Sequence, residues 1–215
     1  MKKLFSTTLA LLLVASLTAQ ITLGPRAGLN LTNMNMGLVD NTDFKAGFQI
    51  GGILDIPVFE GFYAIRPTDL FSIQTGLLFT QKGGQFTSNL LGTSMSSSTR
   101  INYLMVPVSQ LFFLEIARET RLIFQTGVNL GFALGGTIRT EIQGETETQS
   151  IEFGSAEHEF NSFDFGVNFG IGVEFLNFQV GVGYSIGISN LSNVRSMVTR
   201  NNGFAFTVTY LFDLF

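Results

Sequence analysis

The sequence predicts an all-β fold, an eight-stranded antiparallel transmembrane up-and-down β-barrel behind an N-terminal signal peptide. Three observations predict it. Side chains alternate between apolar and small or polar over long stretches, which is the period of a strand. The apolar face is bulky and carries no charge, while glycine and polar residues share the other face. The 215-residue chain is 45% hydrophobic and 13% charged, yet beyond its first twenty residues it has no run of 18 apolar residues able to cross a bilayer as a helix.

Composition narrows the classes further. The charged fraction is about half the usual ~25%, which argues against intrinsic disorder. Acidic residues outnumber basic ones, 16 to 12, and no basic run exists, so nucleic acid is excluded as a partner. The chain has no Cys, which rules out disulfide frameworks, thiol catalysis and Cys-based zinc sites.

Residues 1–20 carry Lys2 and Lys3, an apolar core from Leu9 to Leu17, and the exit Thr18-Ala19-Gln20. That is the pattern of a secretory signal peptide. Its removal leaves residues 21–215 as one barrel domain and, with two of the 12 basic residues gone, a net charge of −6.

The strands follow in order. Ile21, Leu23, Ala27, Leu29 and Leu31 oppose Arg26, Gly28 and Asn30. Phe44, Phe48, Ile50, Leu54 and Ile56 oppose Lys45, Gly47, Gln49, Gly51 and Asp55. Phe71, Ile73, Leu77 and Phe79 oppose Ser72, Gln74, Gly76, Thr80 and Lys82. In the fourth strand, Ile101 to Phe113, the apolar face is Leu104, Val106 and Val108. Pro107 lacks an N–H and predicts a bulge, after which the phase is unreadable. Leu122, Phe124, Val128, Leu130 and Phe132 oppose Arg121, Gln125, Gly127, Asn129 and Gly131. The sixth strand, Phe163 to Phe175, alternates strictly over thirteen residues. Phe178, Val180, Val182, Tyr184, Ile186 and Ile188 oppose Gln179, Gly181, Gly183, Ser185 and Gly187. Phe204, Phe206, Val208, Tyr210 and Phe212 oppose Gly203, Ala205, Thr207 and Thr209.

Strands of ten to fifteen residues suit a membrane better than a soluble domain. Eight strands enclose a lumen only just wide enough for side chains. Ladders of Phe and Leu do not fit inside it, so the apolar face points into lipid. The lumen then receives Arg26, Lys45, Asp55, Lys82, Arg121, Asp164 and Glu174, with Gln49, Gln74, Gln125, Asn129, Asn168 and Gln179. Buried charges need partners, and this set is nearly balanced. It reads as a hydrogen-bonded plug, or alternatively as a narrow polar path.

Connections alternate in length, as in outer-membrane barrels with long extracellular loops and short periplasmic turns. Met34–Asp43, Gly83–Arg100, Arg139–Asn161 and Asn190–Asn202 are the long ones. Glu115–Thr120 and Leu176–Asn177 are short, and Pro57–Thr68 is a longer turn on the same side. Both termini then face the periplasm. Gln81–Arg100, with its SMSSSTR, reads as a flexible surface loop.

Three motifs suggest chemistry and are outweighed. Gly183-Tyr184-Ser185-Ile186-Gly187 matches GxSxG but lies within a strand, not at a strand-to-helix turn. His158, the single histidine, sits in the third long loop near Ser155 and Ser162, where a lipid-modifying site at the membrane rim is an alternative. Glu141, Glu145, Glu147, Glu152, Glu157 and Glu159 make that loop acidic without calcium-loop spacing. No catalytic residue, metal or cofactor is expected.

The opening GPRAGLN (Gly24–Asn30), YLMVP (Tyr103–Pro107), FDFGVNFGIGVEF (Phe163–Phe175) and YSIGISNL (Tyr184–Leu191) resemble the small outer-membrane β-barrel group of the Bacteroidetes lineage, labelled "porin family" or PorT-like. The resemblance spans residues 21–215. It implies an integral outer-membrane protein without a catalytic signature, and some members of the group are tied to protein secretion. One departure is the C-terminus, where Phe212 is in phase with the lipid-facing ladder and Phe215 is not. The expected role is structural or interactive, as an accessory to an outer-membrane secretion or transport assembly. The expected partners are the bilayer with its lipopolysaccharide, the barrel-assembly machinery during insertion, and an outer-membrane protein.

Overall fold

The computed structural model describes residues 21–36, 43–57, 70–90, 93–157, 159–194 and 197–213. Among them ten strands form: β1 (Thr22–Met36), β2 (Asp43–Pro57), β3 (Phe71–Leu90), β4 (Thr93–Ala117), β5 (Thr120–Ile142), β6 (Glu145–Ser150), β7 (Phe163–Phe175), β8 (Phe178–Gly187), β9 (Thr199–Tyr210) and β10 (Phe212–Asp213). Eight of them, β1–β5 and β7–β9, pair antiparallel in sequence order, and β1 pairs β9 to close the ring. β6 pairs β5 alone, and β10 carries the β9 register on against β1. Closure matters because hydrocarbon offers no partner for an open edge.

The stagger of the ring follows from its register. From Thr32, successive partners are Gly203, Ser185, Asn168, Gly127, Ser109, Gln74 and Asp55, and the path returns to β1 at Thr22, ten residues from its start. Eight strands with that shear tilt by about 40° and give a backbone radius of about 8 Å.

The two faces separate as the alternation predicts. Leu29, Phe48, Ile50, Phe169, Ile171, Val180 and Phe206 are exposed on the outside, while Arg26, Gln49, Asp55, Gln74, Asp164, Asn168, Glu174 and Gln179 are buried inside. The outward ladder of β7 rises about 30 Å along the barrel axis, the thickness of a hydrocarbon core.

Several sequence expectations need correction. Pro107 makes no bulge. It pairs Asn129 in an unbroken register with β5. Toward β3 the pairing lapses between Thr75↔Val108 and Leu78↔Met105 without any shift. The missing N–H falls in that lapse, and Thr75 Oγ1 donates to Pro107 O at 2.9 Å. The bulge lies instead on β5, where Leu134 is the extra residue between Asn102↔Gly135 and Tyr103↔Ala133. The phase after Pro107 stays unchanged through Phe113. It was unreadable because Leu111 and Phe113 are apolar yet buried inside, while Gln110 is polar yet exposed outside.

The stretch Gly83–Arg100 is not a loop. β3 and β4 stay paired as far as Leu90↔Thr93, giving strands of 20 and 25 residues. A hairpin growing from an existing ladder needs no apolar face of its own, since the paired neighbour templates it. Part of Arg139–Asn161 is likewise a hairpin. Gln143 and Gly144 have φ of 54° and 88°, as a two-residue type I′ turn requires, and they join β5 to β6. At the opposite end, Arg118–Glu119 and Leu176–Asn177 are tight turns, with Glu119 and Leu176 at positive φ. Phe212 pairs Leu23 in the same register that joins β9 to β1 and points outward. The signal-peptide segment, most of the 57–68 turn, and Phe215 lie outside the described residues.

Candidate functional site: the lumen

Twelve of the thirteen predicted lumen residues face inward and form three tiers. In the tier nearest the turns, Arg26 Nε donates to Thr209 Oγ1 at 2.7 Å and Arg26 Nη2 to Gln74 Oε1 at 2.5 Å. Gln74 Nε2 donates to Asp55 Oδ2 at 3.0 Å and to Gln179 Oε1 at 3.1 Å. Gln179 Nε2 donates to Glu174 Oε2 at 2.9 Å. Arg121 Nε reaches Glu174 Oε1 at 2.9 Å, its Nη2 bonds the same oxygen, and its guanidinium stacks 4.2 Å from the Phe113 ring centroid. Registers that place all eight ring strands around one small circumference bring these distant residues together.

The middle tier is neutral. Gln125 Nε2 donates to Ser109 Oγ and Asn168 Oδ1, Asn168 Nδ2 to Asn129 Oδ1, and Asn129 Nδ2 to Ser185 Oγ. Beside it, Gly170 pairs Gly183 and Gly172 pairs Gly181. With no side chains entering from that seam, a cavity of about 110 Å³ remains, lined by Gln49, Gln74, Gln125 and Asn168 among others. That volume suits a few waters.

The tier nearest the loops is centred on Asp164. Lys82 Nζ pairs with Asp164 Oδ2 at 3.0 Å. Asn201 Nδ2 donates to the same oxygen at 3.1 Å and to Tyr103 Oη at 3.1 Å. The buried Asn201 Oδ1 has no partner. Ser189 Oγ sits 3.4 Å from Asp164 Oδ1.

Apolar residues also fill parts of the lumen, and the sequence reading missed them. Met34, Ile53, Leu78, Ile101, Tyr103 and Met105 cluster inside with Ile151 and Leu191, which the β6–β7 and β8–β9 connections fold over the loop-end opening. Leu111, Phe113 and Ile123 do the same near the turns. The signal was present in the phase, because Ile53, Leu78 and Ile123 each occupy a lumen position within a readable alternation.

Lys45 is the exception among the thirteen. It is half-buried and joins none of the tiers. Its amine crosses β3 at Gly83-Gly84 and bonds Ser98 Oγ on β4. The displacement comes from an extra residue in β2 against β3 between Phe44 and Gln49.

The weaker motifs are placed in part. Ser185 lies mid-strand in β8 with its hydroxyl bonded to Asn129. His158 falls outside the described residues. Glu159 accepts a hydrogen bond from Ala156 N within its own loop, and among the described residues no acidic or histidine group is arranged to hold a metal ion.

A closed ring of eight tilted strands, apolar outside and networked inside, is the architecture shared with known families. A family model described as "outer membrane protein beta-barrel domain" matches residues 15–193. The chain belongs to this family. Its localisation is accordingly the outer membrane, as an integral protein. No curated protein matches the sequence. Solved structures similar to the chain include Ail, the attachment invasion locus protein of Yersinia pestis, in complex with the heparin analogue sucrose octasulfate. It has 12% identity and a TM-score of 0.41, over 90% of this chain and 99% of that one. Neisserial surface protein A has 9% identity and a TM-score of 0.44, over 89% and 96% of the two chains. The N-terminal barrel domain of Pseudomonas aeruginosa OprF has 9% identity and a TM-score of 0.29, over 88% and 99%.

Proposed function

We propose that this protein is a sealed, non-catalytic barrel that anchors a projecting β-sheet at the outer face of the outer membrane. The observation that carries this reading is the pairing of a filled lumen with a sheet that continues beyond the apolar belt. Three tiers of hydrogen-bonded side chains and two apolar clusters occupy the lumen. Above the belt, the outer halves of β3, β4 and β5 continue with β6, whose residues are all exposed. Short turns at the opposite end put that end, and both termini, in the periplasm. The projecting sheet is where an outer-membrane protein partner docks, in line with the PorT-like elements Tyr103–Pro107 and Phe163–Phe175 and with an accessory role in secretion or transport. Insertion uses the barrel-assembly machinery, and the surrounding bilayer with its lipopolysaccharide is a permanent partner.

Photo-crosslinkers placed at Ser97 and Thr148 in intact cells test the docking role. A discrete protein adduct is expected from both positions. Folded, surface-exposed barrel without any discrete adduct would contradict it. The mid-lumen cavity favours a second reading, a narrow path for ions or protons, which conductance measurement decides.

A further inference from the structure

We infer that Lys45, Arg100 and Arg139 form a binding site for the phosphate of an outer-leaflet lipid headgroup. Arg100 and Arg139 are exposed and point away from the barrel interior. Their strand neighbours fix this, since Ile101 is buried in the core cluster and Ile138 packs against it. The two arginines sit on adjacent strands, Arg100 opposite Thr137 and Arg139 opposite Ser98. Lys45 bonds that same Ser98 and lies within electrostatic reach of both arginines.

The outward side chains change in rows along the barrel axis. Phe79, Leu104 and Phe132 make an apolar row, which the exposed Leu134 extends at the β5 bulge. Next come Gln81 and Asn102, joined by a 3.0 Å amide hydrogen bond. Arg100 follows, about 10 Å above Leu104 given strand rise and tilt, then Arg139. Asp43 and Glu141 each lie two residues further from the bilayer than Lys45 and Arg139 on their strands. Among the described residues the ion pairs are Lys82–Asp164 and Arg121–Glu174, so neither carboxylate neutralises the three cations. Neither arginine donates a hydrogen bond within that set.

Three crowded cations with no described carboxylate at ion-pair distance repel one another. They stand at the height where a bilayer places its headgroup phosphates. An arginine fork matches a phosphate in both geometry and charge, and each basic group near an anionic surface contributes on the order of 1 kcal/mol.

The inference rests on the orientation proposed above, with the loop end outward. The test compares wild type with R100Q/R139Q in nanodiscs carrying bis-phosphorylated lipid A or its dephosphorylated form. Native mass spectrometry reads the retained lipid. The wild type is expected to retain the phosphorylated form about thirty-fold better than the double variant, and to show no preference for the dephosphorylated form. Inorganic phosphate at millimolar concentration is expected to leave retention unchanged; displacement by it would mean a free-anion site and overturn the lipid assignment. Equal retention by wild type and variant would overturn the site itself. If R100Q/R139Q fails to fold on gel mobility, Lys45→Gln is the substitute and must weaken retention severalfold. Protease cleavage at Gln143-Gly144 in intact cells reads the orientation separately: cleavage supports it, and protection overturns both it and the leaflet assignment.

Discussion

Removing the Asp164 carboxylate tests whether the loop-end tier holds the barrel together. Asp164 is 2% exposed and its partner Lys82 11%. Asp164→Ala strands the Lys82 ammonium in the lumen and takes acceptors from Asn201 and Ser189. Asn201 Nδ2 then keeps only its bond to Tyr103 Oη. Breaking a buried pair from one side costs roughly 3–5 kcal/mol. The slight exposure of Lys82 places this case at the lower end, about 3 kcal/mol, or a change of more than a hundredfold in the folding equilibrium. Lys82→Met combined with Asp164→Asn removes the stranded charge and leaves Asn201 an acceptor, so the double variant should recover most of the loss. The chain has no Trp, so gel mobility after urea titration in lipid vesicles is the suitable assay. A loss below about 1 kcal/mol for Asp164→Ala, or a double variant no better than the single, would refute the reasoning.

Other predictions follow from the same architecture. Leu29→Arg, near the middle of β1 and 66% exposed, should cost roughly 2–4 kcal/mol in vesicles because its charge enters hydrocarbon; a neutral result in the same urea assay would place that face elsewhere. Arg26→Ala should destabilise by roughly 1–3 kcal/mol for each acceptor it strands, because Gln74 Oε1 and Thr209 Oγ1 lose their donor around a buried vacancy, whereas Arg118→Ala, in an exposed turn, should change unfolding little. Gly144→Val forces a β-branched residue to a φ of 88° and should fray the β5–β6 hairpin. Limited proteolysis within Glu145–Ser150 should then accelerate while the gel shift of the ring stays intact.

Much of this fold is written in the alternation. Wherever a strand sits in the apolar belt, its two faces meet opposite environments, and Phe163–Phe175 shows the result residue by residue. The reading fails where that contrast vanishes. In Met95–Ser98 both faces are exposed or half-buried, so paired strands leave no period and resemble a loop. In Ser109–Phe113 a polar Gln110 faces outward and apolar Leu111 and Phe113 face inward, so an unchanged phase cannot be read. The lumen set was legible because inward charge has few other places to go. Its connectivity was not, since Arg26 meets Gln74 and Asp164 meets Lys82 only through the ring's stagger of ten residues. Lys45 was misplaced because a bulge in β2 is silent in composition.

The claim that the lumen is sealed has a direct test in single-channel recording from folded, gel-verified protein in planar bilayers. The account predicts no discrete conductance steps for the wild type at any voltage the bilayer tolerates. Steps of reproducible size, altered by substitutions at Asp164 or Arg26, would show a continuous water path through the tiers and contradict it.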